Sequence, residues 1–154
     1  MRFALLAAAT LAAAPALATD LDDLAKWAAG TWKCRARAGD DVYHFTLKFT
    51  WDLDKKWLSA RLDGRAAKGK ERVRSVNVYG WDQDHIVSLF LNNQGARGVS
   101  TSPGWSQDSL VFSGTVEMGG HRTETTTTVT RRGKRNMAMV ARTGGFAAET
   151  TCRK

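Results

Sequence analysis

The stretch "VYHFTLKFTW", residues 42–51, alternates without a break. Tyr43, Phe45, Leu47, Phe49 and Trp51 fall on one face, and Val42, His44, Thr46, Lys48 and Thr50 on the other. A period of two built from aromatic and β-branched residues describes a half-buried strand. The aromatic face is expected to point inward, because a surface stripe that apolar would itself be a docking or aggregation site.

Working outward from this strand, the same period recurs through the chain. "TWKCRAR" precedes it; "KWLSARLDG", "ERVRSVNVYGW", "HIVSLFLNN", "RGVSTS", "DSLVFSGTV", "HRTETTTTVT", "NMAMVAR" and "FAAETTCR" follow. Turn residues separate them at Asp54-Lys55, Lys68-Gly69, Asp82-Gln83, Asn93-Gln94-Gly95, Gly119-Gly120, Arg132-Gly133 and Gly144-Gly145. The threonine row at residues 123–130 fits this series, since Thr favours strands. Connections this short join antiparallel neighbours into a meander. A meander of about 8–10 strands leaves two open edges, which closure into a barrel removes.

Only one segment has a helical period. In "DLDDLAKWAA", residues 20–29, Leu21, Leu24, Trp27 and Ala28 share a face, acids occupy the first turn and Gly30 follows the end. The expected fold is therefore an all-β, up-and-down antiparallel barrel with one short N-terminal helix.

The chain begins "MRFALLAAATLAAAPALA", a single Arg, an apolar run and a small-residue ending at Ala18. That order is the form of a secretory signal with cleavage near Ala18. Residues 1–18 are read as leader and 19–154 as one domain, with a periplasmic or secreted address. No later apolar run is long enough to span a bilayer. An oxidising compartment lets thiols pair. Cys34 and Cys152 are the only cysteines, so Cys34–Cys152 is the one intramolecular bond available. It would tie the first strand to the last, where a meander barrel closes. With 23 Lys and Arg against 15 Asp and Glu, the net charge is +8. Such a balance favours anionic partners, and the exported address argues against nucleic acid.

With these elements in place, the chain resembles a known group. "GTWKC" resembles the Gly-x-Trp start of calycin barrels, which include lipocalins and fatty-acid-binding proteins. "WDLDKKWLSARLDG", "YGWDQD" and "TSPGW…DSLVFSG" are similar in order and spacing to DUF1579-type lipocalin-like exported bacterial proteins. The resemblance implies a barrel with Trp32 packed at its closed end. It also implies a last-strand Arg across that Trp, for which Arg153 is the positional candidate, although strand alternation turns Arg153 outward if Cys152 faces in.

Catalytic signatures are lacking. "GWSQDS" has Ser106 without the glycine two residues later that a nucleophile elbow needs. His44, His85 and His121 are scattered, and Asp52, Asp54, Asp63, Asp82 and Asp84 sit at turns and strand ends, where Asp bonds local amides. No metal set and no cofactor is expected. The candidate ligand-binding residues are Arg61, Arg74, Tyr79, Trp81, His85 and Trp105. Inside a barrel, the arginines would fix a carboxylate while the aromatics cover an apolar body. The leading expectation is a binder of a small amphipathic or apolar ligand. The alternatives are a filled barrel that docks to another envelope macromolecule by its loops, and a haem-binding barrel enzyme using a strand histidine. The tip "TRRGKR" offers Arg131, Arg132, Lys134 and Arg135 for weak contact with anionic surfaces.

Overall fold

A computed structural model describes residues 18–67 and 71–154. The expected leader falls on residues outside these, apart from Ala18, as does the Lys68-Gly69 turn. Helix α1 spans Ala18–Ala28, followed by β1 (Gly30–Ala38), β2 (Asp41–Asp52), β3 (Trp57–Ala66), β4 (Arg72–Asp82) and β5 (His85–Asn92). Then come β6 (Arg97–Ser102), the two-residue β7 (Trp105–Ser106), β8 (Ser109–Met118), β9 (His121–Arg131), β10 (Asn136–Thr143) and β11 (Phe146–Arg153). Each consecutive pair among the long strands is antiparallel, β6 pairs with β8 past the β7 flap, and β1 pairs with β11. The result is a closed barrel of ten long strands, so no long edge remains to recruit another strand.

Alternation decides which residues face inward. On β1, Trp32, Cys34, Ala36 and Ala38 are buried while Lys33, Arg35 and Arg37 are exposed. On β2 the aromatic face points in as expected, with Leu47 and Phe49 buried and Phe45 and Trp51 packed against the core. Cys34 stands directly opposite Cys152 across β1–β11, and the two form a disulfide. The bond therefore lies at the seam where the meander meets itself.

A meander brings alternate strand ends together. The start of β1, the end of β2, the start of β3 and the end of β4 lie at one rim, and all six tryptophans belong to this rim or to α1. Helix α1 plugs it, burying Leu21, Leu24, Ala25 and Ala28 against Trp32, Leu47, Leu58, Ile86, Leu110 and Met137. Trp27 packs against Trp32 and Trp105, with centroids 5.4 and 5.9 Å apart. Trp32 is fully buried and its indole N–H donates to the Ala28 carbonyl at 2.7 Å, locking the plug to β1. On the outer wall, the Trp57 indole lies so close over Gly80 that a Cβ there would meet it at 2.2 Å. Only glycine fits.

The cation facing Trp32 is Lys154, not Arg153. Arg153 is exposed, as alternation after the buried Cys152 dictates. The Lys154 ammonium sits 4.7 Å from the Trp32 ring and donates to the Trp27 carbonyl at 2.6 Å. Its partial burial lowers its pKa.

Candidate functional site

Eight-stranded barrels are just wide enough for side chains to fill. Ten strands enclose more, and here the plug fills only the helix-side part. Beyond it lies a cavity of about 370 Å³. A recess of about 80 Å³ beneath it shares Ser75, Asn77, Tyr79, Phe112 and Met139 with the larger space.

The lining comes from inward positions of most strands. Leu62 of β3 stands opposite Ser75 of β4, Asn77 and Tyr79 extend that strand's inner face, and Ser88 and Phe90 of β5 continue the wall. The opposite side is Phe112 of β8, Thr125, Thr127 and Val129 of β9, and Met139 and Ala141 of β10. The Tyr79 and Phe112 rings meet at 5.5 Å with planes tilted by 54°. Hydroxyls and amides are interleaved with these apolar groups, and Ser88 donates to Asn77 Oδ1 at 3.4 Å. No side chain lining the cavity carries a formal charge. Burial pushes the Tyr79 phenol up to about 12, with the Ser88 hydroxyl pulling weakly the other way. Tyr79 is therefore a neutral hydrogen-bonding group at any ordinary pH.

At the far rim a second hollow, about 230 Å³, is lined by Tyr43, Phe45, Val73 and the exposed Phe146. Arg65 and Glu71 border it, and Gln94 donates to Glu71 at 2.7 Å. Charge is thus present at the mouth and absent deeper in.

Of the six residues chosen from sequence, only Tyr79 lines the cavity. Arg61 and Arg74 are exposed on the outer wall, bordering a shallow external groove with Asp63, Val76 and Leu91. The expectation of an interior arginine is corrected by the alternation of β3 and β4, which sends Leu62 and Ser75 inward instead. Trp81 belongs to the helix-side rim and donates to the Gln83 carbonyl at 2.9 Å. His85, at the same rim, bonds the carboxylate of Asp84. Trp105 packs on α1, with its backbone N–H donating to Asp20 Oδ2 at 3.2 Å and its indole N–H to the Asp20 carbonyl at 3.3 Å. Arg131 is withdrawn from the basic tip, its guanidinium stacked 3.6 Å over Trp105. Arg135 is also engaged, donating to the Lys154 carbonyl.

The sequence reading missed the inward residues of nearly every strand, Leu62, Ser75, Asn77, Phe90 and Phe112 among them, and the threonine row is where the local signal is weakest. Residues 125–128 are all threonine, so both faces of that part of β9 look alike, and Val129 is the only nearby signal that the odd-numbered face is internal.

No family model and no curated protein matches the chain. Among solved structures, the S-type phycobiliprotein lyase CPES from Guillardia theta is similar over 88% of this chain and 92% of its own, with a TM-score of 0.55 and 10% identity. The redesigned β-barrel mFAP1, bound to DFHBI, aligns over 84% of this chain and 97% of its own, at a TM-score of 0.49 and 14% identity. A de novo designed fluorescence-activating β-barrel aligns over 86% of this chain and 98% of its own, at a TM-score of 0.48 and 17% identity. At 10% identity the likeness to the lyase is one of fold alone.

Proposed function

We propose that this protein is an exported, lipocalin-like carrier of a small uncharged ligand, apolar in body and bearing hydrogen-bonding groups. The observation that carries the reading is the hollow of about 370 Å³ with a mixed apolar and hydroxyl lining and no charged group. Ligand pockets are commonly of this size and character, whereas a barrel serving only as a scaffold has no use for empty interior volume. A buried carboxylate would lose its hydration here and gain no counter-ion, at a cost of several kcal/mol. The ligand is therefore neutral.

Export is supported by the leader-like residues 1–18 and by the disulfide, which persists in an oxidising compartment. The haem alternative rests on a strand histidine, and none of His44, His85 and His121 lines the cavity. The solved-structure likeness to a phycobiliprotein lyase adds the fold and nothing about this chain's ligand.

The test is a fluorescence titration with paired probes of similar shape, one neutral and one anionic. Saturable binding of the neutral member, weakened by at least tenfold in its carboxylate twin, is expected. Equal or tighter binding of the anionic probe would overturn the neutral-cavity reading.

A further inference from the structure

The outer wall of the barrel is electrically lopsided. The neighbouring strands β4, β3, β2, β1 and β11 carry nine Lys and Arg, all exposed. Within these strands, away from their ends, the only carboxylates are Asp63 and Glu149, and Arg72 takes Asp63 as its ion-pair partner. The opposite half, β5, β6, β8, β9 and β10, is closer to balance, with four arginines against two glutamates, Arg97 and Glu117 forming an ion pair, and Leu89, Leu91, Val99 and Val111 exposed.

Register makes this arrangement costly. Lys33 stands directly opposite Arg153, Lys48 opposite Arg61, and Arg65 opposite Arg72. Like charges placed opposite each other destabilise a sheet. Among the described residues, no acid lies within ion-pair distance of Lys33, Lys48, Arg61 or Arg65. Along β1, Lys33, Arg35 and Arg37 follow one another on the same face, about 7 Å apart, within one Debye length of about 8 Å at physiological salt. Their fields add.

We propose that this basic wall docks the protein on an anionic lipid surface. Five of the ten long strands wrap half of the barrel, so the cations that share one side are those of β3, β2 and β1, about 10 Å across at a strand spacing of about 4.8 Å, against about 13 Å along β1 from Lys33 to Arg37. It therefore extends in two dimensions, as a layer of headgroups does, and follows no single line as a bound polymer would. Its β4 border supports the same choice: Val76, directly opposite Arg61, is also opposite Leu91, whose side chain is 58% exposed. Cations at the headgroups with aliphatic side chains alongside are the composition of an interfacial contact. Apart from Arg65, which also borders the hollow at the far rim, this face is separate from the cavity and from the Arg132 and Lys134 tip.

The experiment is co-sedimentation of the disulfide-bonded protein with phosphatidylcholine vesicles, with and without phosphatidylglycerol, at low and physiological salt. Binding only to the phosphatidylglycerol vesicles, weakening as salt rises, is expected. Neutralising the wall with Lys33→Gln and Arg35→Gln should lower affinity by about fivefold per charge. Lys33→Gln should also raise the melting temperature, since it relieves the repulsion with Arg153. The same charge change at the tip, Arg132→Gln with Lys134→Gln, should lose markedly less binding. The proposal is overturned by no vesicle binding at low salt, by equal losses from wall and tip variants, or by binding to a soluble polyanion such as heparin with none to vesicles. Circular dichroism of each variant verifies that the barrel is intact, and the exposure of every substituted side chain leads us to expect that it is.

Discussion

Tyr79 is the residue where the cavity's chemistry can be read by titration. Its phenol has an ordinary pKa near 10 and is pushed up to about 12 by burial. The folded state therefore keeps a proton that the unfolded chain gives up between those values. The stabilisation is fully present below pH 10 and is lost as pH rises through about 12. A two-unit shift corresponds to about 2–3 kcal/mol. Urea unfolding at stepped alkaline pH should show this decline in the native protein and a shallower one in Tyr79→Phe. Parallel curves would place the phenol in water. Lys154 acts differently at the same scale: it caps the Trp32 ring and the end of α1, a role that strand alternation denies to Arg153.

At the scale of elements, the β1–β11 seam is held twice, by ladder hydrogen bonds and by the Cys34–Cys152 bond. The bond closes a separation of 118 residues, and removing a native disulfide typically costs about 2–5 kcal/mol. Cys34→Ser should lower stability by that amount in denaturant unfolding while leaving the far-ultraviolet strand signal intact, because the ladder does not depend on the sulfurs. Loss of the strand signal would mean that the seam cannot form without its covalent tie. The β6–β8 closure depends on close approach. A Cβ at Gly114 would meet the Val99 carbonyl at 2.0 Å, so that side of the barrel curves where glycine permits it.

For the whole molecule, the division between a filled helix-side half and a hollow far half predicts a trade between stability and binding. Ala141 lines the cavity and pairs with Thr127 on one side and Ala148 on the other. Ala141→Phe should occupy part of the hollow and reduce affinity for the neutral probe by at least tenfold. Thermal unfolding of the same variant should rise or stay level, because new contacts replace empty space without displacing the core. A fall in both properties would indicate that the interior is already packed. The wall and the cavity are separable in the same way: outward substitutions on β1 should leave probe binding unchanged.

Much of this architecture follows from local regularities. The period-two face of residues 42–51, the turn residues between short strands and the single amphipathic helix specify a plugged meander barrel, because each is a property of neighbouring residues along the chain. The Cys34–Cys152 pairing is legible for a different reason: two cysteines allow one bond. The cavity is not legible. Strand alternation assigns two faces but leaves open which is internal when both carry aliphatic and polar groups, as in β4 with Val73 and Ser75 on one and Arg74, Val76 and Val78 on the other, or when both are threonine, as in β9. Closing the sheet around α1 made that choice: it turned Leu62, Ser75, Asn77 and Tyr79 inward and placed Arg61 and Arg74 on the outer wall. It also gathered cations from five strands onto one half of the outer wall, because cross-strand register, which no local pattern encodes, decides which charges become neighbours.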